Sequence, residues 1–104
     1  MAGLDPATSH SGRGGWVYIM TNRPHGTLYI GVTSDITRRV WEHRTGIASA
    51  FIKRYNLHRL VYAEQNEDIR AAIQREKTIK HWSRAWKPDL IASQNPAWSD
   101  LISP

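Results

Sequence analysis

Arg39 and His43 lie one helical turn apart, beside an apolar stripe formed by Ile36 and Val40. At about 100° per residue they fall beside the line joining those two aliphatics, while Arg38 and Glu42 point toward solvent. A cation and an imidazole so placed at the edge of a buried stripe form the wall of a site. Glu76 is the second such position. It follows Ile69, Ala72 and Ile73 at the i, i+3, i+4, i+7 spacing, which aims it into the middle of an apolar helix face. A carboxylate pointed into a core is costly unless it is paired or holds a metal. Two uses follow: an ion pair, with Arg39 the obvious partner, or a ligand for a divalent cation at the floor of a cleft. Tyr18 and Tyr29, one on each of two neighbouring strands, either complete the set or reflect the ordinary preference of strands for tyrosine.

The elements that must position these groups are legible from periodicity. Trp16 to Met20 alternates, with Val17 and Ile19 on one face and Trp16, Tyr18 and Met20 on the other. Thr21 to Thr27 holds Asn22, Pro24 and Gly26, a turn. Leu28 to Val32 is a second strand, so the two pair as an antiparallel hairpin and the tyrosines share a side if register allows. Asp35 stands as the N-cap of the helix carrying Arg39 and His43, and Thr45-Gly46 supplies its stop. Ser49 to Tyr55 reads as a short helical turn and Leu60 to Ala63 as a third strand. Asn66 caps a helix from Glu67 to Trp82 whose buried face is Ile69, Ala72, Ile73 and Ile79. Trp82 and Trp86 close the core, Lys87-Pro88 breaks the helix, and Trp98 and Leu101 dock the tail on the body.

A chain of 104 residues suits one small domain. Residues 1–15, small and polar, read as a disordered segment ahead of a domain at 16–104. The lack of cysteine removes disulfides and thiolate metal sites, and no stretch resembles a signal peptide or a spanning helix, so a soluble cytoplasmic protein is expected. The formal charge of +5 favours an anionic partner, of which nucleic acid is the commonest. From Asp35 to Leu60 there are six bases against two acids, and from Ile69 to Pro88 six bases against Glu76 alone. Arg38, Arg44, Lys53, Arg54, Lys77 and Lys80 in these runs are candidate nucleic-acid contacts. Scattered histidines exclude a zinc site, and no glycine-rich phosphate loop opens a helix. No nucleophile elbow or glycosidase carboxylate pair is present. Too few acids surround Glu76 for a two-metal centre.

Taken in order, Trp16-Val17-Tyr18, a short loop, Tyr29-Ile30-Gly31, Arg39, His43 and Glu76 resemble the GIY-YIG endonuclease superfamily, above all its small single-domain bacterial members. Similarity to the excision-repair nuclease subunit is more distant. The resemblance runs from Trp16 to Leu101 and takes in Arg-Glu-Lys-x-x-Lys-x-Trp at 75–82 and Asn-Pro-x-Trp at 95–98. It implies an α/β (α+β) fold, a three-stranded antiparallel sheet flanked by helices. It implies a metal-dependent endonuclease that hydrolyses phosphodiester bonds in DNA with one Mg²⁺, or Mn²⁺. By resemblance Glu76 holds the metal and Arg39 steadies the phosphate charge. Tyr18 serves as general base with Tyr29 orienting water and phosphate, and His43 assists proton transfer or contacts the phosphate. An ordinary tyrosine is a poor base at neutral pH, so nearby cations or the metal must lower its pKa. Asn95 either assists the site or only initiates the Pro96 turn. Trp16 replaces the glycine of the first motif, and Val32 stands where several active relatives carry lysine. The alternatives are a nucleic-acid-binding module with little turnover and a nuclease subunit that acts after docking on a protein partner.

Overall fold

The computed structural model describes residues 14–45, 50–82 and 85–102. The expected N-terminal segment, apart from its last two glycines, lies outside them, as do Gly46 and Ser49. A three-stranded antiparallel sheet of order β2-β1-β3 is built from β1 (Gly15–Thr21), β2 (Leu28–Thr33) and β3 (Arg59–Asn66). Helices α1 (Ile36–Thr45) and α2 (Ala50–Tyr55) follow β2, and α3 (Ile69–Lys80) and α4 (Trp86–Gln94) follow β3. This is the expected α/β architecture. Among the described residues no helix is long and apolar enough to cross a membrane.

β1 takes the middle of the sheet because both of its faces are apolar, and every residue in it is buried. Trp16, Tyr18 and Met20 pack with Ile36 and Val40 of α1 and Ile52 of α2. Val17 and Ile19 pack on the opposite face with Ala72 and Ile79 of α3 and Ile91 of α4. A bulge in β3 sets its side chains to this scheme. Ile19 pairs with Tyr62 and Met20 with Leu60, so Val61 is the extra residue, and Val61 and Tyr62 both face α3 and α4. Gly15 opens β1 one residue earlier than expected, and a side chain there is excluded: a Cβ would stand 2.8 Å from the Ala72 Cβ and from the Ile69 Cα.

The free edge of β3 is covered by the tail. Gln94 accepts from the Ala63 N–H (3.1 Å) and donates to its carbonyl (2.9 Å). Asp100 accepts from the Leu60 N–H, and the Leu101 N–H donates to the Leu60 carbonyl. Trp98 is buried and Leu101 packs on the α1 side of the core, as expected. Polar side chains thus occupy the hydrogen-bonding groups an edge strand would leave open.

Four local expectations are corrected. Asn66 ends β3, and Asp68 caps α3 instead, accepting from the Ala71 N–H at 2.8 Å. Pro88 does not break a helix. It lies in the first turn of α4, where the amide it lacks would have had no intrahelical partner. Ile69 and Ile73 are 40% and 41% exposed, because the close approach of Ala72 to Gly15 narrows the buried stripe of α3 to Ala72 and Ile79. Trp86 is exposed and meets Trp82 edge-on, outside the core.

Asn95, a candidate nucleic-acid contact, is buried. Its amide donates to the carbonyls of Val61 (3.0 Å) and Ser99 (2.7 Å) and its oxygen accepts from the Ser99 N–H (3.1 Å). Both amide protons are spent on fastening the tail. Asn95→Ala strands the buried Val61 carbonyl and unties Ser99, so urea unfolding is expected to show a loss of about 2 kcal/mol, in the range for an unsatisfied buried group.

Candidate active site

The β1–β2 register pairs Tyr18 with Gly31 and Met20 with Tyr29, which puts both tyrosines on the face covered by α1. Gly31 has a steric task here. The Tyr18 ring lies across it, and a Cβ at that position would stand 2.5 Å from the phenolic oxygen and 2.6 Å from Cζ. The two tyrosine rings are 6.2 Å apart between centroids, and the His43 ring is 5.5 Å from each. Ile36 and Val40 seat α1 on the sheet, and His43, one turn beyond Val40 from Arg39, is buried between the tyrosines.

These side chains form an ordered hydrogen-bond chain. Arg39 Nε lies 3.3 Å from the Tyr18 hydroxyl and can only donate, so the hydroxyl oxygen accepts. The hydroxyl's own proton then points to His43 Nε2 at 2.9 Å. That nitrogen must be unprotonated, which puts the ring proton on Nδ1, a buried atom with no partner among the described residues. The electrostatics agree. Burial first, and the charge of Arg39 second, push the His43 pKa down to about 4, so the imidazole is neutral. Burial also pushes the Tyr18 phenol up to about 12, outweighing the opposing hydrogen bond from Arg39. Arg39 thus acts on this tyrosine in the direction expected of a nearby cation, but burial outweighs it. The same contact with Tyr18 holds the Arg39 pKa above its ordinary range.

Arg39 is half-exposed and its Nη1 donates to Glu42 at 3.1 Å. Glu42 also meets Arg38 at 3.4 Å, so it does not simply face solvent as α1 periodicity suggested. Val32, Asp35, Arg38, Arg39 and Glu42 line a shallow depression of about 360 Å³ that gives access to the guanidinium. Glu76 does not pair with Arg39. It is half-buried on α3 and forms an ion pair at 3.0 Å with Lys80, its i+4 neighbour. Lys80 borders a second depression, of about 300 Å³, with Tyr29, Ile30 and Phe51, which brings the Glu76 turn of α3 to the β2 side of the tyrosines.

Among the candidate nucleic-acid contacts, Arg38, Lys53, Arg54 and Lys77 are exposed. Arg44 is committed elsewhere. It donates to the carbonyls of His58 and Ile102 and to the Asp100 carboxylate, clamping the tail to α1. Two positions that shape the site were not singled out from sequence. Glu42 is three residues from Arg39, a spacing that makes neighbours on a helix. Gly31 becomes identifiable once the hairpin register sets it opposite Tyr18.

Residues 14–89 match the family described as the GIY-YIG catalytic domain. A UPF0213 protein of Natronomonas pharaonis is 37% identical over 79 residues, covering 76% of this chain and 92% of its own. A UPF0213 protein of Desulfotalea psychrophila is 33% identical, covering 88% and 84%. The solution NMR structure of the UPF0213 protein BH0048 from Bacillus halodurans superposes with a TM-score of 0.53. It is 26% identical in sequence and covers 84% of this chain and 92% of that one.

Two outcomes follow from this geometry. Gly31→Ala forces the Tyr18 ring off its partners and is expected to destabilise the fold by about 1–3 kcal/mol, read by thermal or urea unfolding. The second concerns pH. Between pH 6.5 and about 4 the unfolded chain takes up a proton at His43 that the folded chain refuses. Stability therefore falls as pH falls through that window, by up to about 3 kcal/mol. His43→Gln, which keeps an acceptor for Tyr18 but cannot titrate, should flatten that part of the profile in urea unfolding run across pH.

Proposed function

The chain belongs to the GIY-YIG family, and from that membership we propose that it is an endonuclease hydrolysing phosphodiester bonds in DNA with one Mg²⁺, or Mn²⁺ in its place. The observation that carries this reading is the Tyr18 hydroxyl held between the Arg39 guanidinium and the neutral His43 imidazole.

In this reading a scissile phosphate replaces Glu42 as the partner of Arg39, whose donors then face the charge that develops on the phosphate oxygens. The Tyr18 hydroxyl is buried, so the attacking water reaches it only as the substrate draws Arg39 aside; the water then gives its proton to the Tyr18 oxygen while Tyr18 passes its own proton to His43 Nε2. The phenol is never left as a free phenolate, which a pKa of about 12 disfavours at neutral pH. Phosphate beside Arg39 also offsets the positive charge that helps hold the His43 pKa down, so the imidazole becomes a better acceptor when substrate is present. Tyr29, edge-on to His43, orients the water and phosphate.

Glu76 is the residue that would hold the metal. Among the described residues no three His, Cys, Asp or Glu side chains cluster as a metal site. A lone carboxylate suits Mg²⁺, which keeps several waters and takes substrate phosphate oxygens into its shell. Lys80 has to release Glu76 for this, and the pair is local and partly exposed. When bound, the ion neutralises charge on the phosphate. The exposed Arg38, Lys53, Arg54 and Lys77 would meet backbone phosphates, which read charge and shape more than sequence.

The test is cleavage of plasmid and oligonucleotide DNA by the purified protein with Mg²⁺ or Mn²⁺. Arg39→Ala and Glu76→Gln are each expected to lower the rate by about 100-fold or more, the usual effect of removing a group that stabilises transition-state charge. Equal cleavage by wild type and Glu76→Gln would sink this reading. Equal binding without cutting by either would leave a binding module.

A further inference from the structure

The aromatic side chains of the site do not end at Tyr29. Phe51 of α2 lies 6.3 Å from Tyr29 between ring centroids, and Tyr55 lies 4.8 Å from Phe51. The row therefore runs from Tyr18, at the centre of the hydrogen-bond chain, through Tyr29 and out along α2. Its outer members are open to solvent. Phe51 is 44% and Tyr55 38% exposed, whereas Ile52 between them is 1% exposed and is the buried residue of the helix. An isolated exposed aromatic needs no explanation, but rings stacked on one another and leading out of a candidate site do.

The charges beside the row indicate what it receives. Lys53 and Arg54 lie between the two rings in the sequence of α2, and the Arg54 guanidinium lies 5.5 Å from the centre of the Tyr55 ring. Lys80 of α3 borders the depression that holds Tyr29 and Phe51. α2 itself carries no acid. Flat apolar faces interleaved with cations fit unpaired nucleotides, whose bases stack on the rings while the phosphates meet the bases of the protein. A duplex keeps its bases stacked inside and offers this row only phosphates.

We propose that Phe51 and Tyr55 form a stacking shelf for unpaired bases of the DNA strand whose phosphate lies at Arg39 and Tyr18. This rests on the nuclease reading above and narrows its substrate to DNA with single-stranded character beside the cut, such as a loop, a flap or a single strand. Phe51 and Tyr55 then determine specificity, and they lie outside the chain of proton transfers.

The test is fluorescence anisotropy of the full chain in EDTA, where no cleavage competes. The probes are a labelled single strand, the same strand with abasic positions, and its duplex. Wild type should bind the single strand more tightly than the duplex, and the abasic strand more weakly than its parent. Loss of stacking predicts a difference of roughly five- to hundredfold per base. A folded Phe51→Ala/Tyr55→Ala double variant, checked by circular dichroism, should lose about tenfold or more on the single strand and less than about twofold on the duplex. Equal binding of parent and abasic strands by wild type overturns the shelf without recourse to any variant. So does a double variant that binds the single strand like wild type, the outcome expected if the row serves a protein partner. A parallel assay with Mg²⁺ separates the two readings. A single-strand preference lost in the double variant, with no cutting by either protein, supports the shelf and defeats the nuclease. Cutting of duplex and single strand alike by both proteins does the reverse.

Discussion

A phenol wholly removed from water must have its donor and its acceptor met inside the protein, or its burial is unfavourable. The Tyr18 hydroxyl satisfies that condition through Arg39 and His43, and much of the surrounding structure follows from it. The ring must lie flat against β2, so the residue opposite it has no side chain. α1 must present two polar groups one turn apart at a fixed depth, which Ile36 and Val40 secure by packing beneath them. Because Arg39 can only donate, the direction of the whole chain is set, down to which nitrogen of His43 carries its proton.

This arrangement joins three titrations into one. Arg39 lowers the pKa of both Tyr18 and His43, yet burial acts in opposite senses on them, raising the phenol and depressing the imidazole. The two groups consequently stay neutral across the ordinary pH range, with a proton held between a poor acid and a poor base. An anion brought to Arg39 weakens its hold on both neighbours at once. The phenol then becomes a poorer acid as the imidazole becomes a better base, so the two shifts oppose each other in any transfer between them.

Much of this was legible in the sequence. The strands at 16–20 and 28–32 and the Asp35 cap, which accepts from the Arg38 N–H at 3.1 Å, follow from local pattern, and local pattern is what period and capping describe. The sharing of one face by Tyr18 and Tyr29 was conditional on register, and the loop length alone does not determine it. The partner of Glu76 was misjudged because a helical wheel reports direction and not the width of the groove. α3 buries Ala72 and Ile79 only, so Glu76 sits near the rim, where Lys80 reaches it more easily than Arg39 does. The long-range bonds of Arg44 and Asn95 were not foreseen for a related reason. Their partners at Ile102 and Val61 are 58 and 34 residues distant, and such contacts leave no trace in spacing.

The two charged residues proposed to meet phosphate and metal, Arg39 and Glu76, are each held by a neighbour on the same helix, Glu42 at i+3 in one case and Lys80 at i+4 in the other. Partly exposed pairs of this kind contribute about 0–1 kcal/mol. They are strong enough to keep two charges from standing unpaired at the rim of a core and weak enough to be exchanged. In the proposed reading a phosphate would take the place of Glu42 at Arg39, and a cation that of Lys80 at Glu76, each in exchange for a contact worth little. Had Arg39 and Glu76 paired with each other across the sheet, as spacing suggested, the bridge would have been more deeply desolvated and breaking it would have exposed two uncompensated charges together. Separate local partners let each half of the site respond to its own ligand, and the fold gives up almost none of its stability when either one lets go.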